Sequence, residues 1–421
     1  MFFPSAPHVG ASRAGTPSEP PKALLSRDFI LLFCLAMCSN SHIAVFYCFE
    51  QWLEGIAVSP NYRGALISSM FAMVLLCRPP ASFLLLRGGR LPALALSTAV
   101  LICVMLCYPW IAGKHIIGEV LLLRIIQGIA LAVQSSCVVS VLVSCIPSGQ
   151  SARGFALFSL TMLLPYSIIP AMSEHVLLPL LGDGGAEPRL FAMTAVLGLL
   201  SLVMVMPLSS RLKTPEMPSG SLNSLPGRDI WHAVRHSGLM FVYLGCLSFS
   251  IMTILAIFFI KGLCSVTGAH PAWFFSIYTV TIILVRLIGS RRLDTLPRYS
   301  VISLCAADLA FSMLGLAWGP LWSFVPLTCM YGFGLGLLYP LMAAVVYDRS
   351  TPETRSINSN AMMTAFDASG MLAPLIGGLV VHAGFGYRGV FVVTAVAAAL
   401  CGMCMLADKL RLHLQERRDC I

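Results

Sequence analysis

The side chains able to do chemistry in this sequence are few, and several stand inside long apolar runs. Arg124 lies in the run 118–146, with Gln127 one helical turn on and Gln134 further along. Residues three apart share a helix face. Arg124 and Gln127 together can therefore hold a carboxylate, from a solute or from a neighbouring helix. Asp367 lies ten residues into the run 357–383, about 15 Å deep at 1.5 Å per residue. A carboxylate at that depth needs a cation or a proton. Asp308 is comparably deep in the run 300–318. The first run, 28–50, is interrupted by Ser39, Asn40, Ser41 and His42, a polar patch that fits a cavity wall or a locally unwound helix. His42 could carry a proton near neutral pH, against the plainer reading of a buried hydrogen-bonding histidine. Glu50 ends that run, with Glu54 four residues later, and is the candidate partner of Arg124. Tyr278 and Tyr331 are candidate cavity residues, as are Tyr166 and Tyr339; the alternative for all four is packing.

These residues belong to a chain that cannot be globular and soluble. Of 421 residues 57% are hydrophobic and 11% charged, with a mean hydropathy of +0.85; soluble domains carry roughly 25% charged residues. A membrane span takes about 20 apolar residues. Apolar runs fall at about 28–50, 63–86, 91–112, 118–146, 154–178 and 188–208, and again at 237–262, 271–290, 300–318, 320–346, 357–383 and 386–408. The fold class is thus an all-α polytopic membrane protein with twelve transmembrane helices. Residues 28–208 form an N-terminal six-helix half and 237–408 a C-terminal one. The polar, Pro- and Ser-containing stretch 209–236 reads as a cytoplasmic linker, residues 1–27 as a disordered cytoplasmic tail, and 409–421 as a second cytoplasmic tail. With the N-terminus inside, 19 Lys and Arg fall in inside segments and 5 outside, the bias that sets orientation. That bias accounts for the net charge of +9, and no basic, aromatic-rich run suggests nucleic acid. The fifteen cysteines lie singly in apolar runs and read as small hydrophobes. Cys401 and Cys404 make a CxxC with no histidine or carboxylate at the same depth. No HExxH, GxSxG or nucleotide-binding pattern occurs, so neither an enzyme nor a cofactor or metal is expected.

The two halves repeat. Arg78 and Arg90 follow the second run as Arg286 and Arg298 follow the eighth, at an offset of 208, and Arg153 aligns with Arg355 at an offset of 202. Arg78, Arg90, Arg286, Asp294, Arg298, Asp348, Arg349 and Arg355 collect at the inner membrane face. They are expected to latch that side in one conformation. Internal repeats of this kind mark transporters that work by alternating access.

On these residues the chain resembles the major facilitator superfamily, from about Arg27 to Lys409. The superfamily's G-x-L-x-D-R-x-G-R motif reads LLLRGGRLP (84–92) in the first half, without its acidic residue, and Gly289-SRR-Leu293-Asp294-TLP-Arg298 in the second. The fourth-run pattern stands as Arg124-IIQ-Gly128, and Tyr331-GFGLGLLYP with AFDASGMLAPLIGG is very like bacterial twelve-span members related to sugar-efflux permeases. The glycine-rich fifth-span motif of antiporters is absent. The resemblance implies a secondary active transporter of the bacterial inner (plasma) membrane, proton-coupled, with efflux as a candidate direction, working as a monomer on a small-molecule solute among membrane lipid. It also implies a coupling or gating role for Arg124. A transport-inactive sensor and a uniporter without ion coupling are the alternatives.

Overall fold

A computed structural model describes residues 24–87, 89–111, 116–147, 149–172, 186–211, 235 and 237–419. The described residues are helical throughout, with no strand among them. The first passage is α1 (Arg27–Ala44), a short 3₁₀ segment and α2 (Phe49–Gly55). Next come α3 (Pro60–Arg87), α4 (Arg90–Cys107) and α5 (Ile116–Cys145). The fifth passage is α6 (Ser151–Phe158) with α7 (Leu160–Met172), and the sixth α8 (Ala186–Met193) with α9 (Ala195–Arg211). The second half has one helix per passage: α10 (Met240–Thr267), α11 (Pro271–Leu293), α12 (Arg298–Trp318), α13 (Phe324–Asp348), α14 (Arg355–Val380) and α15 (Gly386–Asp419).

Nine stretches of the described residues are long and apolar enough to cross a membrane, the last of them, Arg355–Arg417, holding two passages. The first and fifth passages are not among them: α1 carries Arg27, Asp28 and the polar patch Ser39–His42, and the fifth is divided into the short helices α6 and α7. Twelve passages return the chain to the side it started from. Leu24 and Asp419 therefore share one face, the terminus face, and the opposite one is the far face. Residues 409–419, read from sequence as a tail, continue α15 as helix. The linker expected at 209–236 and the tail expected at 1–27 lie almost wholly outside the described residues.

Local chemistry explains where helices bend and stop. Pro79 and Pro80 sit inside α3 directly after Arg78. Lacking N–H groups, they leave the carbonyls of Leu75 and Leu76 without helical donors. Gly268 ends α10 in a left-handed conformation (φ 77°), its N–H bonding the Cys264 carbonyl at 2.9 Å, a stop that glycine adopts without steric cost. The turn between α14 and α15 is a π-helical segment, Val381–Phe385, with Gly384 at φ 87°.

Packing is distributed unevenly between the two faces. One large apolar cluster joins both halves, and its first-half members are Leu24–Ala36 of α1, Leu94, Cys137–Ile146 and Ala152–Phe158, with Val205 and Leu208. All of these lie near the terminus face. A second cluster, Ala44–Val58 with Tyr108, Val120, Ile169 and Phe191, lies near the far face and contains no residue of the second half.

Candidate functional site

Polar contacts between the halves follow the same division. Arg78 of α3 forms an ion pair with Asp367 of α14, its Nε and Nη2 reaching the two carboxylate oxygens. The pair joins residues 289 apart in sequence. Arg78 precedes the terminus-face end of its helix by nine residues, and Asp367 follows the start of its own by twelve. At 1.5 Å per residue the pair thus lies about 13–18 Å inside the helix ends, in the middle of the bundle. Charges so deep need partners, and this one is supplied from the other half. Arg78 is almost enclosed, whereas the Asp367 side chain keeps 20% of its surface exposed.

Nearer the terminus face, Ser140 of α5 and Ser356 of α14 share a 2.6 Å hydrogen bond, and Asn360 Nδ2 donates to Ser140 Oγ at 3.4 Å. Asp294, in the turn after α11, accepts from the backbone N–H groups of Ala152 (2.8 Å) and Arg153 (3.4 Å) at the first turn of α6. A carboxylate on a helix N-terminus satisfies free amides and the helix dipole together; here the cap comes from the other half. Half-burial pushes the Asp294 carboxyl above its ordinary value of 3.8, while those two amides and then the Arg298 and Arg153 guanidiniums pull it back. Arg298 Nη2 donates to Ser151 Oγ at 3.1 Å, and the same guanidinium pairs with Asp348. The Tyr347 hydroxyl donates to the Ile146 carbonyl at 2.9 Å, and Arg355 lies 4.3 Å from the Tyr347 ring centre. Arg90 reaches the Ser140 carbonyl at 3.5 Å.

Arg349 pairs with Asp408 of α15 and donates to the Gly238 carbonyl at 3.0 Å, and the Tyr299 hydroxyl donates to Asp408 at 2.7 Å. Asp408, completely buried, was not singled out in the sequence, where it is the last residue of the apolar run 386–408, beside Lys409. Its signal was position: it falls only a turn beyond Cys404, still inside the hydrophobic stretch.

Arg124 sits in a different setting. It is 2% exposed, and its guanidinium lies 4.0 Å from the Phe49 ring centre and 4.6 Å from that of Phe46. Its Nη1 donates to Gln127 Oε1 at 3.1 Å, and the Tyr108 hydroxyl donates to the same oxygen at 3.4 Å. Phe46, Phe49, Trp52, Tyr108 and Phe191 form one aromatic cluster around this cation. Every one of these residues belongs to the first half. Glu50, the expected partner, lies on α2 with its side chain outside the described residues, as does that of Tyr166.

The polar patch of the first passage turns toward its neighbours within the same half. Ser39 Oγ is 3.1 Å from Ser201 Oγ, Asn40 Nδ2 donates to the Thr161 carbonyl at 3.0 Å, and His42 Nε2 lies 3.0 Å from the Thr194 carbonyl. The helix breaks at Thr194, and Gly198 makes room: a Cβ there would fall 2.8 Å from the His42 ring. Gln134 donates to Thr98 at 2.9 Å. In the second half the ring centres of Tyr278 and Tyr331 are 5.8 Å apart, with Tyr331 stacked on Phe274 and Tyr278 tilted against it. Asp308 packs against Gly334, where a Cβ would come within 2.8 Å of its Oδ2. Among the described residues no group of His, Cys, Asp and Glu could hold a metal ion.

Comparison with known proteins places this geometry. Residues 251–416 match the family model of the Major Facilitator Superfamily. Among curated proteins no sequence matches the chain. Of solved structures, the proton:xylose symporter XylE bound to 6-bromo-6-deoxy-D-glucose is similar with a TM-score of 0.72 at 12% identity, covering 90% of this chain and 94% of that one. FucP in the outward conformation gives 0.72 at 12%, covering 92% and 99%. The human organic anion transporter MFSD10 (TETRAN) gives 0.67 at 15%, covering 90% and 99%. The chain has the twelve-helix major facilitator fold, two six-helix halves, and its second half carries that superfamily's sequence pattern.

Proposed function

We propose that the chain is a secondary transporter that moves a small solute by alternating access, and that separation of Arg78 from Asp367 is the step that opens the terminus face. The observation that carries this reading is the Arg78–Asp367 ion pair, which crosses between the halves in the middle of the bundle. With 19 of the Lys and Arg on the terminus side by the sequence count, that face is the cytoplasmic one. The conformation is then closed on the cytoplasmic side. One chain carries the whole pathway, so the working unit is a monomer in the plasma membrane.

A proton is the coupling ion in this reading. Asp367 is faced from α3 by Arg78, and its chain neighbour Phe366 packs on Tyr339 of α13, with ring centres 5.7 Å apart. Protonating Asp367 removes the charge that holds Arg78, so the latch loosens when a proton arrives from the open side. XylE, one of the similar structures, is a proton symporter. Arg124, caged within the first half, acts on the shape of that half.

Reconstitution in liposomes with an imposed pH gradient, with labelled sugars and organic anions, tests the proposal. Gradient-dependent flux that Asp367→Asn uncouples from pH is the expected result. Flux that keeps its pH dependence in Asp367→Asn overturns the coupling assignment. Absence of flux, with conformation unaffected by any solute or pH, overturns the transporter reading.

A further inference from the structure

Two arginines related by the repeat stand in the middle of this bundle, and only one has a carboxylate. Arg78 and Arg286 correspond at the offset of 208. Arg78 is clamped by Asp367. The offset of 202 that aligns Arg153 with Arg355 carries Asp367 onto position 165, which is Pro165, a residue without a charge. The repeat therefore supplies one carboxylate for two guanidiniums.

Arg286 is 4% exposed. Its Nε donates to the Gly336 carbonyl at 3.3 Å, and its guanidinium lies 5.6 Å from the Tyr339 ring centre. Nη1 and Nη2 have no bond to a described residue, yet they are not among the fully enclosed orphan atoms, which do include Nη1 of Arg78. The free edge of the Arg286 fork thus borders accessible space. Tyr339 is within electrostatic range of both Arg286 and Arg78. It also packs on Phe366, which is 6.1 Å from Phe249. The neighbourhood holds two guanidiniums, one carboxylate and aromatic walls. Its charge surplus is positive, and the apolar setting penalises an uncompensated cation.

We propose that Arg286 is a substrate-binding residue and that the site takes a small organic carboxylate with an apolar body. The planar fork pairs with a carboxylate through two parallel N–H···O bonds, and Tyr339, Phe366 and Phe249 pack against the body of the ligand. The bound carboxylate stands where the repeat lacks its second acid, so both arginines are neutralised only when the site is filled. This assignment rests on the transporter reading for its biological role, but the binding it describes does not require transport.

The test uses the purified full chain in detergent and follows thermal unfolding with benzoate, phenylacetate and butyrate, each beside its neutral amide. At least one acid is expected to raise Tm while its amide does not. Arg286→Gln is expected to weaken that binding by about tenfold or more, with Arg286→Lys between the two, because it keeps the charge and loses the fork. Ligand-free melting and gel filtration establish that both variants fold. The proposal is overturned if none of the acids shifts Tm, if the amides act equally, or if Arg286→Gln binds the acids unchanged. Flux of a neutral solute without any acid response removes the carboxylate site and leaves the transporter standing. Arg286-dependent acid binding without flux in liposomes does the reverse.

Discussion

The terminus face and the far face of this bundle are built from different interactions. At the terminus face the halves are joined by an apolar cluster, the Asp294 cap on α6, the Ser140–Ser356 bond and, deepest, the Arg78–Asp367 pair. At the far face the Arg124 cage and its aromatic cluster stay inside the first half. Contacts within a half hold its shape in every conformation, whereas contacts between halves hold only one. On the proposed alternating-access reading a buried arginine has opposite meanings at the two ends: Arg78, paired across the halves, would be a latch, and Arg124, caged within one half, a strut.

That contrast can be broken most strongly at the latch. Arg78→Ala leaves Asp367 without its cation, and removing one partner of a buried pair costs roughly 3–5 kcal/mol, less here because Asp367 is partly exposed. The expected outcome is a population shift toward a terminus-open state, read from distances between spin labels on the two halves. Next in size, Gly128→Leu forces a side chain where a Cβ would already fall 2.6 Å from the Met70 carbonyl and Met73 Cβ. Overpacking of this kind costs about 1–3 kcal/mol; it should lower Tm without selectively opening either face.

Asp294→Ala removes a helix cap supplied from the other half, worth about 1 kcal/mol. It should shift the same distance distribution about fivefold toward the terminus-open state, with Tm little changed. The cap also gives a pH expectation. Burial in the closed arrangement raises the Asp294 carboxyl above 3.8, so the closed latch holds that proton more tightly than the released carboxylate does. Acidification through that range should therefore favour the terminus-closed state through this group, and Asp294→Asn should remove that component. Arg124→Gln is the smallest change for the latch. Losing its cation–π contacts costs about 1–2 kcal/mol of first-half stability, and the terminus-face distances should not move.

Much of the scaffold was legible in the sequence, because long apolar runs report directly on helices built to cross lipid. The repeat of Arg78 with Arg286 was legible too. The partner of Arg78 was not: Asp367 is 289 residues away, and nothing local to either residue encodes the pairing. Depth alone marked Asp367 as a carboxylate needing a cation. The first-passage patch was read as a cavity wall or a locally unwound helix, with His42 as a buried hydrogen-bonding residue the plainer alternative; Asn40 and His42 bond the Thr161 and Thr194 carbonyls of neighbouring passages. A polar side chain in a span shows that a partner exists, and the direction it faces depends on helix rotation. Ser140, Ser356 and Asn360 carried no signal, since small hydroxyls and amides are tolerated throughout membrane helices.

The account stands or falls on whether the two faces open alternately. Spin-label pairs on a cysteine-replaced background, one at exposed Leu25 and Glu353 on the terminus face and one at exposed Tyr62 and Ser265 on the far face, report this directly. The account predicts that Asp367→Asn or Arg78→Ala lengthens the first distance while shortening the second. Two distances that stay fixed in both variants, or that lengthen together, would contradict it.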